Sequence, residues 1–472
     1  MSSVIKFGTD GWRGVIAEDY TFDNVRLCTQ GVAQYLLNAG KAAPGMVVGY
    51  DTRFASERFA AAVAEVLAGN GIKTLLVERA TPTPVISYAI LANKAAGAIN
   101  ITASHNPPSD NGFKVRSEYG GAAAPETLVE IEKQINRSPA IKRMAEAEAL
   151  EKGMIALFDP APAYLAHLKD MIDVQPIRQA PFSVVADSMW GAGMGWFKQI
   201  LRGDKLTVAE IHAQRNPAFP HMARPEPIAA NLRGLSAAVR ARKADVGLAT
   251  DGDADRVGLM DEHGQFVNQL VVYALLAYYL LEVRTWRGPI VKALSTTSML
   301  EQLGKIYDVP VYETGVGFKF VAPKMMETDA MIGGEESGGY AFGGHMPERD
   351  GILAGLYLLD LMQHTGKTPS QLVEKLFAMV GPHYYDRLDT TFPLAQRSEI
   401  TQRLQANPPK RVDGSAVVRV QTDDGFKYHL ADGSWLLIRF SGTEPIMRIY
   451  TETNSPQRVW RMINEGRKIV GV

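Results

Sequence analysis

The feature that most constrains the fold is an order of elements that occurs three times along the chain. In each unit, short apolar runs typical of buried strands alternate with stretches of helical periodicity. The third apolar run of each unit leads into a loop of small and polar residues, at positions 102, 250 and 333. Strands that alternate with helices predict parallel pairing and layers of helices. Because ligands bind beyond the carboxyl ends of such strands, we expect the three loops to meet at one cleft.

This pattern predicts four domains. The strands of the three repeated units are expected at residues 46–50, 74–77 and 95–101, at 182–186, 206–208 and 245–249, and at 289–291, 309–312 and 330–332. A charged, alanine-rich helical stretch at 126–153 is expected to join the first two units. After Gly381, strand-like runs and a closing helix at 457–470 predict a smaller α+β domain. We place the four domains at 1–152, 153–258, 259–375 and 376–472.

Length and composition narrow the class of protein. A chain of 472 residues exceeds what one hydrophobic core supports, and its 46% apolar and 21% charged content excludes a disordered protein. The net charge of −1 indicates neither nucleic acid nor a membrane as partner. The single cysteine, Cys28, cannot form an internal disulfide, and the N-terminus lacks the pattern of a signal peptide, so we expect a cytoplasmic location. The longest apolar stretch, 270–281, is too short to span a bilayer.

The first of the three loops contains a candidate nucleophile. Ser104 follows a buried strand and lies in a loop, residues 102–108, that two prolines stiffen. A hydroxyl held in one place can act as a nucleophile once it is activated or already modified. A serine in this position can also simply bond to the backbone of its own loop.

The second loop carries three carboxylates on alternate positions, Asp251, Asp253 and Asp255. Such closely spaced hard oxygen ligands suit Mg²⁺ or Ca²⁺, because without a cation they repel one another. The spacing also resembles an EF-hand loop, but Arg256 replaces the glycine needed at its sixth position, and a strand-like run precedes it. A solvated acidic turn is the remaining alternative.

Two further motifs suit a phosphorylated sugar. The third loop is rich in glycine and offers Glu335 and Ser337 as acceptors for sugar hydroxyls, although a plain glycine turn has the same composition. Near the C-terminus, residues 439–445 combine the guanidinium of Arg439 with hydroxyls and glycine-flanked N–H groups, a mixture that suits a phosphate. Pairing of Arg439 with Glu444 at a surface turn is the alternative.

These four motifs in this order, together with residues 7–14, resemble those of the α-D-phosphohexomutases, the family that includes phosphoglucomutase and phosphomannomutase. The resemblance covers residues 7–448. It implies three related α/β domains around a cleft and a C-terminal domain that closes over it. It also implies that a small-molecule sugar phosphate is the partner and that glucose 1,6-bisphosphate is the intermediate and activator. We expect a monomer or a homodimer.

The resemblance assigns roles to the candidate residues. Ser104 would be carried as a phosphoserine and would share Mg²⁺ with Asp251, Asp253 and Asp255. The other residues at the transferring group would be Lys114 as general acid and base, His105 and Arg13. Nearby cations are expected to ease the deprotonation of Lys114. Sugar hydroxyls would contact Glu335 and Ser337, and the non-reacting phosphate would contact Arg439, Ser441, Gly442 and Thr443.

One departure from the family bears on the substrate. Many phosphomannomutases and phosphoglucosamine mutases have a histidine two residues after the serine of the third loop, where this chain has Gly339. Residues 335–337 and 345–351 look more like those of glucose-handling members. We therefore expect glucose phosphate as substrate and mannose phosphate as a possible second one. The alternatives are a phosphoglucosamine mutase and a catalytically silent protein that binds a sugar phosphate or a metal.

Overall fold

The chain builds the same arrangement of strands three times and then changes to an antiparallel sheet. The computed structural model describes residues 5–8, 11–137, 140–203, 205–440 and 446–471. Within these ranges the strands form four sheets. The predicted fold, three related α/β domains with mixed sheets followed by a smaller α+β domain, is confirmed.

The first domain has a six-stranded sheet with helices on both faces. Its elements are β1 (Trp12–Val15), α1 (Phe22–Asn38), β2 (Met46–Tyr50), α2 (Ser56–Gly69), β3 (Thr74–Val77), α3 (Thr83–Asn93), β4 (Ala98–Ile101), β5 (Asp110–Arg116), α4 (Pro125–Asn136), α5 (Glu146–Glu151) and β6 (Ile155–Phe158). The strand order is β1-β5-β4-β2-β3-β6, with β5 antiparallel to both of its neighbours. The core under α1, α2 and α4 includes the buried Cys28, and α3 covers the opposite face.

The second domain repeats this order in a five-stranded sheet. Its elements are α6 (Ala161–Met171), α7 (Gln175–Gln179), β7 (Ser183–Asp187), α8 (Trp196–Ile200), β8 (Thr207–Ile211), α9 (Arg233–Arg242), β9 (Val246–Thr250), β10 (Val257–Met260) and β11 (Phe266–Val267). The strand order is β11-β10-β9-β7-β8, in which β7 is parallel to β8 and β9, and β10 is antiparallel to β9.

The third domain has the same arrangement in four strands. Its elements are α10 (Gln269–Tyr278) with a π-helical turn (Tyr279–Val283), β12 (Ile290–Ala293), α11 (Met299–Tyr307), β13 (Val311–Thr314), α12 (Phe318–Thr328), β14 (Ile332–Gly334), β15 (Tyr340–Phe342), α13 (Gly351–Thr365) and α14 (Pro369–Val380). The strand order is β13-β12-β14-β15, and only β15 pairs antiparallel.

The three sheets place one loop in an equivalent position each time. In each of the first three domains, the third parallel strand is followed by a strand that pairs with it in antiparallel fashion, through the connections β4–β5, β9–β10 and β14–β15. These connections leave the carboxyl ends of β4, β9 and β14, where open α/β sheets bind ligands. The three loops that the sequence singled out are these three connections.

Helix α10 explains the longest apolar stretch of the sequence. Every residue of α10 is buried, in one core that contains side chains of both the second and the third domain. A helix that is apolar on all sides is typical of a position between two layers. Among the helices in the described ranges, none is both long and apolar enough to cross a membrane.

The fourth domain is an antiparallel sheet with helices on one face. Its elements are β16 (Tyr384–Thr391), a 3₁₀ turn (Leu394–Gln396), α15 (Arg397–Ala406), β17 (Arg411–Val412), β18 (Ser415–Gln421), β19 (Phe426–Leu430), β20 (Trp435–Phe440), β21 (Ile446–Thr453) and α16 (Pro456–Val470). α15 and α16 enclose its core, and Trp435 on the other face packs against Leu294 of the third domain. Lys427 strengthens this contact by donating to the Leu294 carbonyl at 2.7 Å and to Glu313 at 2.8 Å.

The expected helical connector at 126–153 is wrong in form. This stretch contains α4 and α5 with non-helical residues 140–145 between them, followed by β6. The sequence has a proline at position 139, which disfavours one unbroken helix. α4 packs on α1, where a Cβ atom at Gly31 would lie 2.5 Å from Ile135, so this segment belongs to the first domain.

Two of the predicted domain boundaries fall inside a strand or a helix, and the third falls just before a strand of the same sheet. β6 continues the first sheet beyond residue 152, β10 spans residue 258 and α14 spans residue 375. The motifs do not reveal the closing strand or helix of each domain. The domain boundaries remain a prediction, and we propose that they lie after β6, β11 and α14.

Candidate active site

Three loops from three domains meet at one place. They are the serine loop (residues 102–109), the aspartate loop (residues 251–256) and the glutamate loop (residues 335–339). A Cβ atom at Gly252 would lie 2.4 Å from the carbonyl oxygen of Ser104, so a glycine is needed for this approach. On the other side, the N–H of Val257 donates to the Gly338 carbonyl at 3.0 Å. The aspartate loop therefore lies between the other two.

Ser104 is buried, and its hydroxyl points at the aspartate loop. Its φ of +52° lies in the left-handed region, which costs a residue with a side chain about 1 kcal/mol. The Oγ atom donates a hydrogen bond of 2.8 Å to Asp251 and lies 3.2 Å from Nδ1 of His105. A strained backbone thus directs the hydroxyl across the boundary between the first two domains.

Asp251, Asp253 and Asp255 form a buried carboxylate cluster, with ligand atoms within 4.8 Å of one another. Burial, followed by repulsion from Asp255 and Asp253, raises the pKa of Asp251 well above its ordinary value. Burial acts in the same direction on Asp253, but Lys114 and the hydroxyl of Thr83 outweigh it and lower the pKa of that carboxyl. The same buried site therefore shifts the pKa values of these two carboxyls in opposite directions.

Two oxygen atoms of this cluster fit a bound cation. Oδ1 of Asp253 and Oδ1 of Asp255 are buried, and they accept no hydrogen bond from any residue that the structure describes. Oδ1 of Asp255 lies 3.8 Å from Nε of Arg256, too far for a hydrogen bond. Buried carboxylate oxygens that accept no hydrogen bond are costly, and hard divalent cations prefer such ligands. The cluster can therefore hold a divalent metal, with the Ser104 oxygen beside it.

Lys114 extends from β5 into the same cluster. Its Nζ atom lies 3.1 Å from Asp253 and 3.9 Å from Asp255, and its side chain is buried. These carboxylates stabilise the charged ammonium form. The expectation that nearby cations ease the deprotonation of Lys114 stays a prediction.

His105 and Arg13 lie next to Ser104. Desolvation in the cleft, followed by the charges of Arg256 and Arg13, lowers the pKa of His105 well below its ordinary value, so the imidazole is neutral at pH 7. Arg13 donates from Nη1 to the side-chain carbonyl of Asn106 in the serine loop. Both residues therefore lie beside the Ser104 hydroxyl or the loop that carries it.

The glutamate loop contributes Glu335 and Ser337. Glu335 is largely buried, and burial raises its pKa to about 7, although the guanidinium of Arg349 lies 3.4 Å away and opposes this shift. Ser337 is partly exposed. Gly339 leaves room for Arg349, because a Cβ atom there would lie 2.4 Å from its Cδ atom.

Arg349 connects the loops, although sequence reasoning did not single it out. Its guanidinium lies 2.8 Å from Asp255, 3.4 Å from Glu335 and 3.1 Å from Glu348. Glu348 also forms a fully buried ion pair with Arg116 on β5. The signal available in the sequence was the run of charged residues just before α13. This run does not indicate which loops the Arg349 side chain contacts.

A cavity of about 940 Å³ adjoins these loops and has walls from all four domains. Its lining includes Arg13, Arg256, Glu335 and Arg439, one from each domain in turn. Arg439 donates from Nε to Asp424 at 3.0 Å. The structure thus places the predicted Arg439 on the cavity wall. The other three predicted phosphate contacts lie outside the described residues: Ser441, Gly442 and Thr443.

Arg53 is a second residue that sequence reasoning missed. It follows the carboxyl end of β2, is fully buried, and donates to carbonyl groups of the serine loop. The rule that ligand sites lie beyond the carboxyl ends of parallel strands applies to β2 as it does to β4, so the position was a usable signal.

Comparisons with known proteins agree with this architecture. Models of the phosphoglucomutase/phosphomannomutase family match in four parts, namely α/β/α domain I at residues 4–142, domain II at 162–264, domain III at 269–380 and the C-terminal domain at 399–468. A Thermococcus kodakarensis protein named phosphoglucomutase/phosphomannomutase is 32% identical over 464 residues, which is 98% of both chains. A Thermococcus gammatolerans protein named probable phosphoglucosamine mutase is 31% identical over 467 residues, also 98% of both.

A solved structure extends the likeness to three dimensions. The crystal structure of a provisionally named phosphomannomutase from Thermus thermophilus has a TM-score of 0.87 and 36% sequence identity, and the match covers 100% of each chain. The four matching domain models, the similarity over whole chains and the shared fold lead to one conclusion: the chain belongs to the phosphoglucomutase/phosphomannomutase family, the α-D-phosphohexomutases.

Proposed function

We propose that the protein interconverts hexose 1-phosphate and hexose 6-phosphate through a phosphorylated Ser104. The observation that carries this proposal is the 2.8 Å hydrogen bond between Ser104 and Asp251, which places the nucleophile on the carboxylate cluster. A phosphoryl group on Ser104 would lie among metal-binding carboxylates and next to the cations Lys114 and Arg13. Phosphoryl transfer depends mainly on such positioning and charge neutralisation.

The reaction has two transfers of one phosphoryl group each. In the first, the bond between phosphorus and the Ser104 oxygen breaks, and a bond to the free hydroxyl of hexose 1-phosphate forms. The sugar hydroxyl gives its proton to a base, and the Ser104 oxygen takes up one proton. In the second transfer the other phosphoryl group of the resulting 1,6-bisphosphate returns to Ser104, and hexose 6-phosphate leaves. Mg²⁺, when bound by the three aspartates, supplies positive charge for the transferring group.

Lys114 is the first candidate for exchanging these protons. In its charged form it can return a proton to the Ser104 oxygen as a general acid. It becomes a base only when a cation takes up the charge of Asp253 and Asp255, since both carboxylates otherwise stabilise its ammonium. The neutral imidazole of His105, 3.2 Å from the Ser104 oxygen, is the second candidate.

The cavity supports a substrate with two phosphates. One phosphate reacts at Ser104, so the other needs a separate cationic site. Arg439 and Arg448 of the fourth domain line the cavity together with Asp424, and each has a carboxylate partner, Asp424 for Arg439 and Asp389 for Arg448. A phosphate that enters can take the place of these partners, because a guanidinium forms paired hydrogen bonds with phosphate. We therefore propose that the Arg439 turn, with residues 441–443, holds the non-reacting phosphate.

Glucose is the sugar that we propose. Glu335 and Ser337 are the acceptors for its hydroxyls, and the third loop has Gly339 where the family resemblance leads one to expect histidine in many mannose and glucosamine enzymes. Arg349 fills the space at that position, so a side chain there would displace a guanidinium that contacts Asp255 and Glu335. The names of similar proteins include both phosphoglucomutase/phosphomannomutase and phosphoglucosamine mutase. Mannose phosphate is the proposed second substrate.

A direct assay tests this proposal. The protein is incubated with Mg²⁺, a trace of glucose 1,6-bisphosphate, and the 1-phosphate of glucose, mannose or glucosamine in turn. We expect kcat/KM to be highest for glucose and second for mannose, and we expect peptide mapping to find one phosphoryl group on Ser104. A preference for glucosamine 1-phosphate would instead indicate a phosphoglucosamine mutase. Binding without turnover of any of the three would indicate a silent sugar-phosphate-binding protein.

A further inference from the structure

We propose that Arg53, paired with Asp51, is a positioning residue that fixes the backbone of Ser104 for phosphoryl transfer. The inference rests on the proposed function, because it assigns a role within that reaction. Arg53 itself touches neither the Ser104 hydroxyl nor the carboxylate cluster through any hydrogen bond between described residues. It acts through the serine loop.

A closed ring of interactions surrounds the backbone of Ser104. On one side, the N–H of Ser104 donates to the Thr102 hydroxyl at 2.9 Å, and that hydroxyl donates to Asp51 at 2.6 Å. On the other side, the Ser104 carbonyl accepts from Arg53 at 2.6 Å. Arg53 and Asp51 close the ring with an ion pair of 3.3 Å, and both side chains are buried. Both peptide groups that flank the Ser104 Cα atom are therefore held by one charged pair.

The guanidinium of Arg53 also holds the rest of the serine loop. It donates to the carbonyls of Asn106 at 2.7 Å, Pro107 at 2.8 Å and Asp110 at 3.0 Å. With Ser104, four carbonyl groups accept hydrogen bonds from one side chain. Only a guanidinium has enough donors in a fixed plane for this, since an ammonium has three donors at a single point.

The conformation of Ser104 needs such support. Its φ of +52° is unfavourable for a residue with a side chain and persists only where the surroundings over-determine it. Relaxation of this angle would turn the hydroxyl away from Asp251, 2.8 Å away in the second domain. The Arg53 guanidinium lies at this same domain boundary, 5.1 Å from the ring of Phe219. The pair of Arg53 and Asp51 therefore fixes Ser104 relative to the aspartate loop, which the serine hydroxyl contacts.

The second domain shows that the turn after the central strand does not itself require the arginine. Asp187 ends β7 as Asp51 follows β2, and each carboxylate accepts a hydrogen bond from the N–H two residues further on. In the second domain that residue is Met189, which has no guanidinium and has a φ of +46°, yet the same hydrogen bond to the carboxylate forms. The Arg53 side chain is thus an addition to the turn, at the domain that carries the nucleophile.

The test compares Arg53→Lys and Arg53→Ala with wild type and with Arg178→Ala as the matched control. Arg178 also donates twice to a backbone carbonyl, that of Ile200, but lies outside the cleft. We expect kcat of the Arg53 variants to fall roughly tenfold to a hundredfold, because small misplacements of a reacting group have effects of this size. KM should stay within about twofold, since Arg53 contacts no part of the site proposed for substrate. Added guanidinium should restore part of kcat to Arg53→Ala and none to Arg178→Ala.

Hydrogen exchange of residues 102–110 supplies a readout that needs no turnover. We expect faster exchange in Arg53→Lys than in wild type and no change in Arg178→Ala. Wild-type kcat in Arg53→Lys, or unchanged exchange of the serine loop, overturns the inference. If Arg53→Ala does not fold, Arg53→Lys alone decides. An inactive wild type overturns the proposed function, whereas an active wild type with an equally active Arg53→Lys overturns only the role of Arg53.

Discussion

The two ends of the cleft are built in different ways. At the end with Ser104, the side chains of Lys114 and the aspartate cluster are at most 1% exposed, and they hold one another through contacts that cross domains. At the end with the fourth domain, Arg439 is 15% and Asp424 is 28% exposed, and among the described residues the contact of Arg439 is an ion pair with this neighbour.

This difference separates two tasks. A buried charge whose partner is removed stays uncompensated, so the reacting end tolerates little change and holds its groups in one geometry. A partly exposed ion pair contributes less to stability than a buried one and can exchange its partner. The end at the fourth domain therefore suits recognition of a phosphate from either end of a bisphosphate. We expect changes at the first end to lower kcat and changes at the second to raise KM.

The sharpest test of the reacting end is Ser104→Ala. We expect activity to fall roughly a thousandfold or more, because the group that carries the phosphoryl is lost. The melting temperature should change little, since the loop is held through its backbone. Ser109→Ala, in the same loop but exposed, is the control and should be fully active. Full activity of Ser104→Ala would contradict the proposed nucleophile.

Removal of the metal is expected to have the next largest effect. Chelation should abolish turnover and leave the fold intact, and Mg²⁺ should restore activity. Asp253→Asn should lose about a hundredfold or more in kcat, because the proposed metal site loses a charged ligand and Lys114 loses its 3.1 Å ion pair with Asp253. Circular dichroism measures whether the fold is intact, and calorimetric titration with Mg²⁺ measures metal binding. If Asp253→Asn unfolds while the folded fraction keeps its specific activity, the cluster has a structural role.

Arg439→Ala tests the other end of the cleft. Removing hydrogen bonds to a charged group costs about 1.5–3 kcal/mol, or roughly tenfold to a hundredfold in kcat/KM. We expect most of this loss in KM, an almost unchanged melting temperature, and normal phosphorylation of Ser104. Arg461→Ala removes an exposed ion pair elsewhere in the same domain and should have no effect on kinetics. An unchanged kcat/KM in Arg439→Ala would mean that the second phosphate binds elsewhere.

The smallest effect concerns pH. Burial raises the pKa of Glu335 to about 7, so its carboxylate forms mainly above that pH. If the carboxylate accepts sugar hydroxyls, KM should fall by a few fold as pH rises from about 6 to about 8. Between the ordinary pKa of a glutamate and pH 7, Glu335 binds more protons in the folded protein than in the unfolded chain. Its contribution therefore makes the free energy of unfolding fall as pH rises through that window. Glu335→Gln should remove both dependences, and an unaltered KM profile in this variant would exclude Glu335 as their source.

The sequence predicted those parts of the site that follow local rules. Strand periodicity and the position of loops at carboxyl ends were sufficient to bring Ser104, Asp251 and Glu335 together. Arg349 was not predictable, because it reaches the aspartate loop from a segment beside α13 through contacts that no local pattern encodes. The ion pair between Lys114 and Asp253 was not predicted, because the sequence does not show that β5 places the lysine side chain beside this aspartate.

The shared core around α10 has a consequence for how the molecule unfolds. Proteins open locally in roughly contiguous cooperative units, and we expect elements that share one hydrophobic core to open together. The second and third domains have their largest core in common, whereas the largest cores of the first and the fourth domain contain residues of that domain alone. The aspartate and glutamate loops therefore belong to one cooperative unit and keep their spacing when a neighbour opens. Ser104 and Arg439 lie on two other units, so local opening of the first or the fourth domain can displace either residue without melting the centre of the molecule.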